Sequence, residues 1–204
     1  MAEAVAAAVG AWPGLVQAGT SISGVAALNT GPMINVKIEV GNFTNFELMD
    51  PQWHLEHGQI RKPPSSIAPG YKETMLATKH SRTASFCYGV VSYRTGYTGN
   101  RLIIMWSVPF NYDVYDNWFA VGIRRAGRQD SMWLSEMYSA AEDKGIWFER
   151  AKYSSDVPTL AFIDNELELG FSATINTTND AKVLVHLSPT KQKVILHNVG
   201  LMIR

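Results

Sequence analysis

Only one of the 204 residues is a cysteine. Cys87 therefore closes no intramolecular disulfide and contributes to no multi-cysteine zinc site; between Phe86 and Tyr88 it reads as a buried thiol. Charge is scarce as well. Charged residues make up 18% of the chain, and Lys plus Arg balance Asp plus Glu at 18 each. No net field draws the protein to nucleic acid or to an anionic surface, so any membrane attraction must be local. Common catalytic signatures are absent: there is no Gly-x-Ser-x-Gly elbow, Walker-type loop, Gly-x-Gly-x-x-Gly turn or His-Glu-x-x-His. No cofactor and no enzymatic activity are expected. His54, Glu56 and His57 form the best metal candidate, yet neither a strand nor a helix turns all three to one side, so no metal site is expected either.

Charge is missing altogether between Glu3 and Lys37. A standard secretory signal would carry Lys or Arg ahead of its apolar stretch, and a spanning helix would need about 20 predominantly apolar residues. Here the run is broken by Gly10, Pro13, Gly14, Gln17, Gly19 and other small or polar residues. Val5, Val9, Trp12 and Val16 recur at helical spacing and give the segment one apolar stripe. It is either a helix docked on the core or a membrane-active segment.

What is plentiful is hydrophobic material, 46% of the chain, which suffices for one domain with a full core. From Ile34 the pattern alternates: Ile34, Val36, Ile38 and Val40 share a side, with Asn35, Lys37 and Glu39 between them. Similar short runs recur at residues 46–48, 74–76, 85–93, 102–108, 119–123, 166–175 and 182–187, separated by turn-forming residues. The expectation is a mainly β protein, an antiparallel β-sandwich flanked by two short helices. Residues 1–33 would form the N-terminal segment, including one of those helices, and residues 34–204 the sandwich. Residues 96–100 read as a hairpin loop, and residues 61–70, with Pro63, Pro64 and Pro69, as a surface loop. A second helix is expected over residues 130–142, with Asp130 as N-cap. Asn42 and Asn176 open Asn-x-Thr tripeptides, acceptors for a glycan only on a secretory route.

Aromatic residues concentrate in Ser107-Val-Pro-Phe-Asn-Tyr-Asp-Val-Tyr-Asp-Asn-Trp-Phe119. Asn and Asp initiate turns by bonding their own backbone, so this stretch reads as a loop. Rings on a loop either cap the core or sit at a membrane interface, where Tyr and Trp keep a polar tip wet and can attract a quaternary ammonium.

This stretch resembles the signature of the actinoporins, the pore-forming cytolysins of sea anemones and their relatives in other animals and mosses. Residues 37–41, 88–93 and 130–138 are similar to a core strand, a central strand and the tyrosine-bearing helix of that family. The resemblance implies a sandwich that binds phosphocholine headgroups of phosphatidylcholine or sphingomyelin. It further implies a soluble monomer that oligomerises on membranes and inserts its N-terminal helix, through Val5, Val9, Trp12 and Val16, to form a cation-permeable pore. It implies a secreted protein acting at target membranes. Ser107, Pro109, Tyr115 and Tyr138 match headgroup-pocket positions, and Tyr88 and His57 fall at pocket positions with changed residue types. Phe110, Tyr112, Trp118 and Phe119 correspond to interfacial aromatics, Phe110 in place of a tyrosine. Glu56 stands near the position of a family arginine, Val114 where a tryptophan is common, and Leu134 and Ser139 where tyrosines are expected. A sandwich of this kind that binds lipid or glycan without lysis is the alternative function.

Overall fold

The computed structural model describes residues 16–17, 34–80, 86–96, 98–111, 114–115, 117–126, 133–139, 146–153, 159–176 and 179–190. Two sheets face each other across one core. The first contains β1 (Val16–Gln17), β2 (Asn35–Asn42), β4 (Gln59–Lys62), β5 (Tyr71–Thr78), β10 (Thr159–Asp164), β11 (Leu169–Ile175) and β12 (Asp180–Pro189). Its order is β1-β5-β2-β12-β11-β10, with β4 also on β5. The second runs β3 (Leu48–His57), β6 (Cys87–Thr95), β7 (Arg101–Val108), β8 (Trp118–Arg124) and β9 (Ile146–Lys152), all antiparallel. The mainly β sandwich is as expected from the alternation.

Period-two patterning builds the core. In β2 the side chains of Val36, Ile38 and Val40 are fully buried while Lys37 and Glu39 face outward, and β12 repeats this with Ala181, Val183, Val185 and Leu187. Opposite them, Val91, Tyr93, Ile104, Trp106, Phe119 and Val121 fill the same layer. Strand β7 is buried at all eight positions. Its second face is covered by helix α1 (Trp133–Ser139), whose Leu134 and Met137 pack with Val90, Ile103, Met105 and Ala120. Gly89 makes room for the Trp106 indole: a Cβ there would lie 2.7 Å from Trp106 Cζ2 and 2.9 Å from the His54 carbonyl oxygen. Gly58, at φ +106, turns the chain from β3 in one sheet to β4 in the other, a backbone conformation suited to glycine.

Several expectations are corrected. Two pairings are parallel, β2 with β12 and β1 with β5; β2 and β12 lie far apart in the chain, so no tight hairpin fixes their direction. Val16, expected on a helical stripe, lies in β1 opposite Tyr71 of β5. Val5, Val9 and Trp12, the expected N-terminal helix, the Asp130 cap and the tail beyond residue 190 lie outside the described residues. The proline-rich stretch is not wholly superficial. Ile67 within it is fully buried and bridges to Leu48, because the side-chain amide of Asn42 donates to the carbonyls of Ile67 and Phe46 at 2.9 and 2.7 Å. Asn42 is itself fully buried, so it serves the fold and presents no glycan acceptor.

Candidate functional site

Antiparallel register places His57, Tyr88, Ser107, Trp118 and Lys152 opposite one another in a single row across all five strands of the second sheet. The row crosses the end of the sheet where the aromatic loop leaves β7, just beyond the apolar patch that α1 covers. Tyr88 and Trp118 both pack against the edge of that patch. The Tyr88 hydroxyl donates to the Leu134 carbonyl at 3.2 Å, which ties β6 to α1. At the end of α1 the Tyr138 ring lies 5.1 Å from the Tyr88 ring, at 55°. Burial raises the Tyr88 hydroxyl pKa well above its ordinary value, with smaller contributions from Tyr138 and from the Glu56 carboxylate. This tyrosine is a neutral hydrogen-bonding group at any physiological pH.

The loop after β7 is fastened at its base. Asn117 is buried and exchanges backbone and side-chain bonds with Tyr153, whose hydroxyl in turn donates to the Ser107 carbonyl at 3.1 Å. Its amides at Val114 and Tyr115 donate to the Asn111 carbonyl, forming the turn that the Asn and Asp content predicts. The tip is open: Val114 is 65% exposed, Tyr115 52% and Phe110 38%. Tyr115 packs edge-on against Phe86 at 4.8 Å, and Phe86 in turn lies 6.0 Å from the His57 ring. Lys79 sits over the Phe110 ring, 5.3 Å from its centroid.

The expected site residues therefore divide. Tyr88, Tyr138, Tyr115, His57, Phe110 and Trp118 gather at one end of the sandwich with exposed or half-buried rings. Ser107 and Pro109 lie at the same end but are buried beneath the surface. Phe119 is a correction: it is fully buried against Tyr153, since the period of β8 turns it into the core when Trp118 faces out. Tyr112 lies outside the described residues. Two members of the cluster escape the sequence reading. One is Phe86, which bridges His57 and Tyr115; the other is Arg150, whose guanidinium lies 4.1 Å from the Trp118 ring centroid and donates to the Tyr138 carbonyl. Arg150 precedes Lys152 by one period of β9, a signal that becomes legible only once β9 is recognised as a strand. His54 and Glu56 stand 3.7 Å apart, and among the described residues no three His, Cys, Asp or Glu side chains group as metal ligands.

Apart from His57, the residues of this aromatic end lie within the part of the chain, residues 67–157, that matches the model of a family described as sea anemone cytotoxic protein. Tereporin-Ca1 of Terebra anilis is 32% identical over 182 residues, spanning 86% of this chain and 94% of the relative. The chain belongs to the actinoporin-like family. The family is one of cytolysins and not of enzymes. Another actinoporin-like relative, conoporin-Cn1 of Conus consors, is 28% identical across 86% of this chain and 72% of its own length. The solved structure of the lipid binding protein Nakanori shares the fold, with a TM-score of 0.58 at 16% identity, over 76% of this chain and 71% of that one.

Proposed function

We propose that this actinoporin-like protein is a secreted cytolysin that docks on bilayers by its aromatic end, binds zwitterionic phospholipid headgroups, assembles into oligomers and opens a pore with its N-terminal segment. Phosphatidylcholine and sphingomyelin are the headgroup lipids that the family pattern implies. The observation that carries the reading is the gathering of Phe110, Val114, Tyr115 and Tyr138, all exposed, at one end of the sandwich beside the Tyr88, Trp118 and Arg150 cluster. Exposed rings with polar tips suit the bilayer interface, where the ring is shed from water while the hydroxyl stays hydrated. The absence of charge from residue 4 to residue 36 suits a segment that enters lipid, where each ionised side chain would be costly. A pore lined by Ser, Thr, Gln and Asn would conduct with weak ion selectivity, for lack of a charged ring.

The test combines calcein release from phosphatidylcholine vesicles, with and without sphingomyelin, and co-sedimentation of the same vesicles. Both are run on the intact chain and on a chain lacking its first 30 residues. Leakage that disappears on deletion while sedimentation persists supports insertion by that segment. Sedimentation without leakage from the intact chain would reduce the protein to a non-lytic lipid-binding module, and absence of both would remove the membrane reading.

A further inference from the structure

An aromatic site selects a quaternary ammonium when it leaves ring faces free to surround it. Here several ring faces are already taken by the protein itself. Arg150 lies on Trp118, whose indole also packs against the apolar patch beneath α1. Lys79 lies over Phe110. Tyr88 and Tyr138 close on each other at 5.1 Å, and Tyr115 rests against Phe86 at 4.8 Å, spacings that admit no trimethylammonium group between the rings. What the site keeps available is hydrogen-bonding charge of both signs. On one flank Glu56, its side chain 60% exposed and one carboxylate oxygen 3.7 Å from the His54 imidazole, precedes His57, the residue opposite Tyr88 in the sheet. On the other flank stands Arg150, whose fork has donors beyond the one given to Tyr138. The Tyr88 and Tyr138 pair links the two flanks: the Glu56 carboxylate acts on the Tyr88 hydroxyl, and Arg150 donates to the Tyr138 carbonyl.

A carboxylate can accept hydrogen bonds from a primary ammonium, which has three N–H donors, but none from choline, which has no N–H. A guanidinium matches the phosphate oxygens of either headgroup. We infer that this site, within the membrane-docking reading above, ranks phosphoethanolamine lipids above phosphocholine lipids, with Glu56 receiving the ammonium and Arg150 the phosphate. Glu56 then sets which headgroup is preferred while leaving the docking face in place. Selection acts on N–H groups, so it is graded by their number.

The experiment is co-sedimentation with vesicles of one acyl composition in which a fixed fraction of the lipid is phosphatidylethanolamine, its N-monomethyl or N,N-dimethyl derivative, or phosphatidylcholine. Binding is expected to weaken along the series, by roughly tenfold from end to end, as a charge-assisted hydrogen bond is lost. Glu56→Gln flattens the series and Glu56→Asp restores its order, while circular dichroism confirms that both variants are folded. Free O-phosphoethanolamine competes weakly if the headgroup alone is recognised, and not at all if the bilayer is required for presentation; both agree with the inference provided the methylation series keeps its order. Equal binding along the series, an inverted order, or an order unchanged in Glu56→Gln would overturn it while leaving membrane docking intact. Failure to bind every vesicle would overturn the docking reading and this inference together.

Discussion

The two ends of the five-stranded sheet are built from opposite materials. At the far end, where β7 begins and β8 finishes, Arg101 holds Asp50 at 3.0 Å and also bonds Ser92, while Arg125 holds Asp164 at 3.0 Å and Glu166 at 2.7 Å. Asp164 is almost wholly buried and also accepts the backbone amides of Glu166 and Leu167, so it closes the β10–β11 turn. At the near end the exposed groups are mainly rings. Charge clamps fasten one end across the two sheets, since Arg125 follows β8 and Asp164 ends β10. The other end commits exposed apolar area that folding leaves uncovered, a pattern that marks a surface meant for a partner or a membrane. With the proposed docking at the aromatic end, stability and recognition are separated along one set of strands.

That separation can be broken by substitution. The largest effect is expected from Asp164→Ala, which takes a buried carboxylate away from its three partners, the Arg125 guanidinium and the Glu166 and Leu167 amides. It should destabilise the fold by about 3 kcal/mol, lowering Tm by roughly 9 °C, with vesicle binding of the folded protein unchanged. The converse, Tyr138→Ala, should weaken vesicle binding about tenfold, the scale of a buried interfacial aromatic, and shift Tm by only about 1 °C. Calorimetry and co-sedimentation on both variants give the full comparison. Finer discrimination comes from two rings of similar exposure, Tyr115 at 52% in the loop and Trp147 at 45% at the far end. Tyr115→Ala should cost about threefold in vesicle binding and Trp147→Ala nothing measurable, by the same sedimentation assay.

The smallest expected effect concerns pH. His186 lies on the outer face of the first sheet against Phe43, and burial holds its imidazole below the usual range, with Glu39 opposing and Lys72 assisting. A depressed folded-state pKa means that the unfolded chain takes up the proton first. The contribution is therefore complete at neutral pH and is lost as pH falls through the unfolded value of about 6.5 toward the folded one. Between pH 7.5 and pH 5, His186→Gln should lose less in Tm than the unaltered chain, measured by thermal denaturation.

Alternation made β2 and β12 legible, because they bury one face and the period-two signal survives, while β6, β7 and β8 stood out as short apolar runs buried on both faces between the core and α1. Strands β3 and β9 lie at the edges of their sheet, and both were missed. In β3 the register shifts between Met49 and Gln52, where Asp50 adopts φ 49 and Pro51 follows, so no clean alternation runs through it. In β9 each face mixes apolar and charged residues, Ile146 and Phe148 with Arg150 and Lys152 on one side and Trp147 and Ala151 with Glu149 on the other, which leaves little hydrophobic contrast. The site followed the same logic. Tyr88, Tyr115 and Tyr138 announced themselves by the density of rings and by family resemblance. Phe119 misled because neighbours in a strand point to opposite faces, and loop density says nothing about which ring lies beyond the loop's end. Arg150 was invisible because its role depends on a strand that the pattern concealed and on a cross-strand neighbour distant in the chain.

The account stands on the claim that the aromatic end, and not the clamped end, meets the bilayer. Cys87 is buried, and burial pushes its thiol up to about 12, so a newly introduced surface cysteine can be labelled selectively. An environment-sensitive fluorophore placed by Tyr115→Cys or by Glu166→Cys, mixed with phospholipid vesicles, measures which end leaves water. A blue shift with increased intensity at position 115 and no change at position 166 is the predicted result. A shift at position 166 with none at position 115 would contradict it.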